Sequence, residues 1–74
     1  MLQVTVYLDG KKLKRLRVTK GVTVRALASS AGVSTSTITL LERNERNSRF
    51  HAPTLTKLAE ALGVEPTELL GEED

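Results

Sequence analysis

The sequence predicts an all-α fold, five short helices around one small core, with a single strand added in front. Three observations carry this expectation. From Leu13 onward the apolar residues recur at three- and four-residue intervals. Capping residues and glycines break that pattern into short runs. A period of two is confined to the first eight residues. Seventy-four residues suffice for one domain and one core. That domain is expected over 1–71, with 72–74 as a disordered acidic tail.

Leu2, Val4, Val6 and Leu8 alternate with Gln3, Thr5 and Tyr7, which predicts a half-buried strand over 2–8. Asp9 then suits the N-cap of a first helix. Its inward residues are Leu13 and Leu16, and Lys11, Lys12, Lys14 and Arg15 face water. A hairpin turned at Asp9-Gly10 is the competing reading. It fails because Leu13 and Leu16, three apart, would point to opposite faces of a strand, and because straight-chain Lys, Arg and Leu favour helix. Gly21 ends this helix as a left-handed cap.

Thr23 caps a second helix, Val24 to Ala31, whose Val24, Leu27, Ala28 and Ala31 form one apolar stripe. After Gly32, Ser34 caps a third helix running to about Arg43. Ile38 and Leu41 turn inward there, and Thr35, Ser36, Thr39 and Leu40 turn outward. Two short helices joined through a glycine cross steeply, as in a helix-turn-helix unit over 23–43. A polar, basic loop follows from Asn44 to Ala52. Pro53 suits the first turn of a fourth helix carrying Leu55, Leu58, Ala59 and Leu62, which ends before Gly63. Pro66 opens a short fifth helix, closed by Leu69 and Leu70 and capped by Gly71.

Composition narrows the function. With no cysteine, neither a disulfide framework nor a Cys-ligated zinc site is available. Tyr7 and Phe50 are the only aromatics, too few for stacking platforms that bind single-stranded nucleic acid. No apolar run reaches the length of a membrane span, and the first eight residues lack the character of a signal peptide. A soluble cytoplasmic protein is therefore expected. Residues 1–57 hold all eleven basic residues against Asp9, Glu42 and Glu45, a balance of +8; residues 58–74 hold six acids and no base, a balance of −6. That asymmetry fits a polyanion-binding surface on one side, and equally a solvated charged surface.

Chemistry offers little else. No glycine-rich phosphate loop is present and no nucleophile pairs with a histidine, so an enzyme is not expected. His51 is the single histidine and has no cysteine to share a metal with, so no metal or cofactor is expected.

The informative spacing runs from Thr23 to Arg43: Ala28 four residues before Gly32, then Val33, Ile38 and Leu41 as buried anchors. In the stretches LKRLRVTKGVTVRALASSAGVSTSTITLLER (13–43) and TLTKLAEALGVEPTELL (54–70) the chain resembles the bacterial and phage Cro/cI-type, or xenobiotic response element, family. The resemblance implies a compact five-helix, lambda-repressor-like domain that inserts its third helix into the major groove of double-stranded DNA. It implies a transcriptional regulator, a repressor acting by occupancy, associated with the nucleoid and dimeric on a palindrome. No small-molecule ligand is implied.

Carried over by position, Ser34, Thr35, Ser36, Thr39 and Leu40 fall where the family reads bases, with Thr37 at the margin. Arg43, Asn44, Arg46 and Asn47 fall where it contacts the DNA backbone, and Thr23 and Arg25 where the second helix touches phosphate. The matching Arg17 and Glu42 form a structural ion pair in the family.

The departures are specific. Val24 stands where the family commonly has Gln. The third helix carries no Arg, Lys, Asn or Gln from Thr35 to Leu40, so bidentate reading of purine edges is missing, and Thr methyls and Leu40 are left to meet thymine methyls. Arg43, Asn44 and Arg46 are then expected to add readout from the helix end, and DNA shape to supply the rest. The connection between the third and fourth helices is longer than usual, and its Arg49-Phe50-His51 stretch is expected to pair with the N-terminal strand; self-pairing of 2–8 across a two-fold axis is the rival. Tyr7 and Phe50 are then packing residues on that small sheet. Lys11, Lys12, Lys14 and Arg15 fit phosphate tracking and plain solvation equally. Leu40 fits a thymine methyl or a protein contact, and a protein-interaction or antitoxin-like module on the same scaffold is the alternative function.

Overall fold

Asp9 switches the chain from strand to helix. Its extended backbone (φ −88°, ψ 105°) ends strand β1 (Thr5–Leu8), and its carboxylate accepts hydrogen bonds from the Lys11 and Lys12 amides at 2.9 and 3.3 Å to start α1 (Gly10–Thr19). The helical reading of this segment holds, and Gly21 (φ +68°) turns the chain out of the helix. The computed structural model describes residues 5–73, and the expected strand residues 2–4 lie outside them.

The two central helices follow the sequence closely. α2 (Val24–Ala31) begins where Thr23 Oγ1 accepts from the Ala26 amide at 3.0 Å, and Gly32 in the left-handed region (φ +70°) ends it. α3 (Thr35–Arg43) begins where Ser34 Oγ accepts from the Thr37 amide at 3.1 Å. α4 (Ala52–Leu62) carries its proline in the first turn and stops at Gly63 (φ +69°).

One apolar core joins these elements. Leu8, Leu13, Leu27, Ile38, Leu58 and Leu69 are fully buried, one each from β1, α1, α2, α3, α4 and the segment that follows α4. Ala28, Ala31, Leu55, Ala59 and Leu62 complete the core, and Leu16, Val24, Val33 and Leu41 pack half-buried against it. Every α-helical residue read as inward from its spacing lies in this set. Fully burying a leucine contributes about 1.5–3 kcal/mol, so the six fully buried residues supply most of the drive that holds α1, α2, α3 and α4 together.

Three expectations fail at the C-terminal end. The fifth helix is a single 3-10 turn (Pro66–Leu69), in which the Glu65 amide donates to Glu68 Oε2 at 2.8 Å, so the described residues form four α-helices. The chain then becomes extended at Leu70 (φ −101°, ψ 149°) and forms β2 (Leu70–Glu73). Residues 72 and 73 are therefore strand and not a disordered tail; Asp74 lies outside the described residues. β2, and not Arg49–His51, is the antiparallel partner of β1, with Tyr7 opposite Gly71 and Leu8 opposite Leu70. Among the described residues the loop after α3 contributes one bridge, Leu8 with Asn47, through amide–carbonyl bonds of 3.0 Å in both directions.

Tyr7 explains why a glycine-capped helix end is instead a strand. Gly71 does not have positive φ, and a Cβ there would lie 2.5 Å from Cε2 and Cζ of the Tyr7 ring. The glycine lets an aromatic ring lie across the neighbouring strand. Lys12 Nζ adds a bond of 2.8 Å to the Leu70 carbonyl, and the Asp9 amide one of 2.8 Å to that of Leu69. Away from Leu8 the small sheet leaves the core: Val6 is 41% exposed, so of the two described residues on the strand's expected apolar face Leu8 is buried and Val6 is not.

Candidate nucleic-acid interface

α3 is oriented by contacts on its inner side, which decide what its outer side presents. Arg17 of α1 donates from Nε to Glu42 Oε2 at 2.6 Å, from Nη2 to Glu42 Oε1 at 3.0 Å and from Nη1 to the Val22 carbonyl at 2.8 Å. The hydrogen bonds to Glu42, more than the charge alone, raise the Arg17 guanidinium above its ordinary range, with burial opposing. Ile38 and Leu41 face the core on the same side as Glu42. The opposite face is left to solvent.

On that face Thr35, Ser36, Thr39, Leu40 and Arg43 line one shallow surface depression. A second depression shares Thr39 and Arg43 and extends to Lys14 of α1 and Val24 of α2. The surface therefore runs continuously from hydroxyl groups and one apolar side chain on α3 to cations on its flank. Among the described residues no carboxylate pairs with Lys14, Arg25 or Arg43. Their charge is available to a polyanion.

The residues singled out in the sequence divide into three groups. Thr35, Ser36, Thr39, Leu40 and Arg43 come together as described. Ser34 and Thr37 sit beside them but are engaged with each other, with the two hydroxyls 2.8 Å apart and Thr37 half-buried. Thr23 caps α2 next to exposed Arg25, with Thr23 Oγ1 accepting from the Ala26 amide at that helix N-terminus.

The third group lies after α3 and is used by the fold. Asn47 Nδ2 faces the carbonyl oxygens of Leu41 at 2.9 Å, Asn44 at 3.0 Å and Leu8 at 3.1 Å, which closes the C-terminal end of α3 and ties it to β1. Asn44 is the exposed C-cap that supplies one of those carbonyls. The Arg46 guanidinium stands 5.6 Å from the Tyr7 ring centroid, over the ring that covers Gly71.

The sequence does not decide the role of Lys14, and the structure adds this residue to the surface. Its signal was present: Lys14 and Arg17 are three apart on α1 and share a face. The pairing of Arg17 with Glu42 on α3 brings Lys14 to that helix as well.

Residues 10–74 match a family profile described as a helix-turn-helix domain. The chain belongs to the Cro/cI-type helix-turn-helix family. The domain is similar to the restriction-modification controller protein C.AhdI from Aeromonas hydrophila, at 38% identity over 81% of this chain and 88% of that one, with a TM-score of 0.73. It is also similar to the master regulator for biofilm formation SinR, solved in complex with DNA, at 32% identity over 81% of this chain and 94% of that one, with a TM-score of 0.74. A Streptomyces albus hydroxyethylphosphonate dioxygenase aligns at 28% identity and a TM-score of 0.75 over 99% of this chain, but over 18% of that one. No curated protein sequence matches the chain. Among the described residues of this helix-turn-helix domain, no helix is long and apolar enough to cross a membrane, and no cluster of His, Cys, Asp and Glu could hold a metal ion.

Proposed function

We propose that this domain is a transcriptional regulator that binds double-stranded DNA with α3 in the major groove and acts as a repressor by occupancy. The observation that carries the reading is the unpaired, continuous surface of Thr35, Ser36, Thr39, Leu40, Arg43 and Lys14. Hydroxyls and an apolar side chain meet base edges, and Arg43, Lys14 and Arg25 meet phosphates, helped by the N-terminus of α2 at Thr23. Ser34 and Thr37 hold the start of α3 and reach the groove wall. Asn44, Arg46 and Asn47 act mainly by fixing the segment after α3, with phosphate contact secondary. The similarity to C.AhdI, a restriction-modification controller protein, and to SinR, a master regulator solved in complex with DNA, supports this role.

A single small reading face favours a homodimer on a palindromic site, because two half-sites multiply a modest discrimination. Such a protein works in the cytoplasm, at the nucleoid. The dioxygenase aligns over too small a share of its own length to bring catalysis to this chain. A protein-docking role for α3 is disfavoured by the surroundings of Leu40, which are three hydroxyl side chains and an arginine and not an apolar patch.

Fluorescence anisotropy with a random-sequence duplex across a salt series tests the reading. Binding whose logarithm falls linearly with the logarithm of salt is the expected result. Absence of binding at low salt would falsify it.

A further inference from the structure

We propose that the outer face of α3 recognises the C5-methyl group of a pyrimidine in the major groove, with Leu40 as the reading side chain. The ligand class is double-stranded DNA carrying thymine or 5-methylcytosine at the contacted position. This inference rests on the DNA-binding reading above and makes it specific.

Leu40 is 56% exposed and belongs neither to the core nor to the apolar residues packed against it. It stands among Thr35, Ser36, Thr39 and Arg43. Purines are distinguished in the major groove by forked side chains that engage two polar atoms at once, and between Thr35 and Leu40 there is none. Serine and threonine hydroxyls both donate and accept, so they pair with several base edges and discriminate weakly. Between Thr35 and Leu40, Leu40 is the largest exposed apolar group, and it separates bases through a cost and a gain.

The cost falls on the wrong base. A leucine pressed on guanine O6, adenine N6 or a purine N7 strips water from a polar atom and returns no hydrogen bond. The gain comes from the right one. The C5-methyl group of thymine or 5-methylcytosine projects into the major groove, and covering it removes apolar surface from water on both partners. The flanking hydroxyls can meet thymine O4 or the N4 amine of methylcytosine alike. A methyl group buried at about 0.8 kcal/mol corresponds to about a fourfold change in affinity.

The test begins with selection of a preferred duplex from a randomised library. Anisotropy is then measured at fixed salt with each thymine replaced in turn by uracil, which removes only the methyl group, and each cytosine by 5-methylcytosine, which adds it. Leu40→Ala is measured beside the unaltered domain, and a thermal melt establishes that this exposed substitution leaves the fold intact. The expected result is a loss of about fourfold for uracil at one or two positions, with the Leu40→Ala protein indifferent to the exchange. A gain at 5-methylcytosine identifies that base as a source of the methyl group; a loss restricted to uracil identifies thymine. If neither exchange alters binding at any position, or if Leu40→Ala responds as the unaltered domain does, methyl reading is wrong while DNA binding stands. Failure to bind any duplex at low salt removes the DNA-binding reading itself, and this proposal with it.

Discussion

Arg17 holds Glu42 at two points, Nε to Oε2 at 2.6 Å and Nη2 to Oε1 at 3.0 Å, with the two side chains only 12% and 8% exposed. Bidentate geometry fixes direction as well as distance, so the pair sets how α3 is rotated against α1. Removing either partner strands the other in a poorly hydrated place. Arg17→Ala or Glu42→Ala is expected to cost about 3 kcal/mol in urea unfolding. The double variant should cost less than the two single costs combined. Additive losses would show that the two side chains act independently. The pH dependence has a definite sign. Because the folded pKa of Arg17 is raised, its contribution is fully present below the ordinary arginine range and is lost only as pH rises through the folded value. Stability between about pH 7 and 10 should therefore be insensitive to this pair, since arginine stays protonated there.

Gly10 gives a prediction of opposite sign to the general rule. Replacing a glycine inside a helix by alanine usually stabilises by about 0.5–1 kcal/mol. Here the added Cβ would collide with the backbone carbonyl oxygens of Leu41 and Asn44, where the start of α1 crosses the end of α3. Gly10→Ala is expected to destabilise by about 1–3 kcal/mol through overpacking. A melting temperature equal to or above that of the unaltered domain would rule out this close approach.

Local chemistry made most of the fold legible. Thr23, Ser34, Gly32 and Gly63 each act within one turn of the helix they cap, and the apolar stripes they delimit are the ones buried. What was not legible depends on partners distant in sequence. Leu70-Gly71-Glu72 carries the signature of a helix ending, and becomes a strand because β1 supplies an edge and Tyr7 a ring that Gly71 alone accommodates. Asn47 reads as a polar loop residue among others, and its role emerges once three carbonyls from β1 and α3 converge on its amide. The outer face of α3 was legible by helical spacing. Lys14 was legible only in part: its spacing from Arg17 puts both on one face of α1, but its place beside α3 depends on how α1 and α3 cross.

Asn47 and Arg43 separate scaffold from contact. Asn47→Ala removes the donor that closes α3 and takes from the half-buried Leu41 carbonyl its side-chain partner, a loss of about 1–3 kcal/mol. The expected signature is a lower melting temperature with an unaltered salt dependence of DNA binding below the melt. An unchanged melting temperature together with a shallower salt slope would return Asn47 to the phosphate-contacting set.

Lys14→Ala and Arg43→Ala should show the converse behaviour. Both side chains are exposed, neither is held by an acid among the described residues, and both line the same depression beside Thr39. Their removal is expected to change stability by no more than about 0.5 kcal/mol. Each phosphate contact releases condensed counterions, so each substitution should reduce the slope of log affinity against log salt by about one and weaken all sequences to a similar degree. The double variant should lose about two, because two separate phosphates are involved. A control comes from Lys57, which is exposed on α4, outside both depressions. If Lys57→Ala flattens the slope as much as Lys14→Ala does, binding follows net charge alone and the surface around α3 is not the contact.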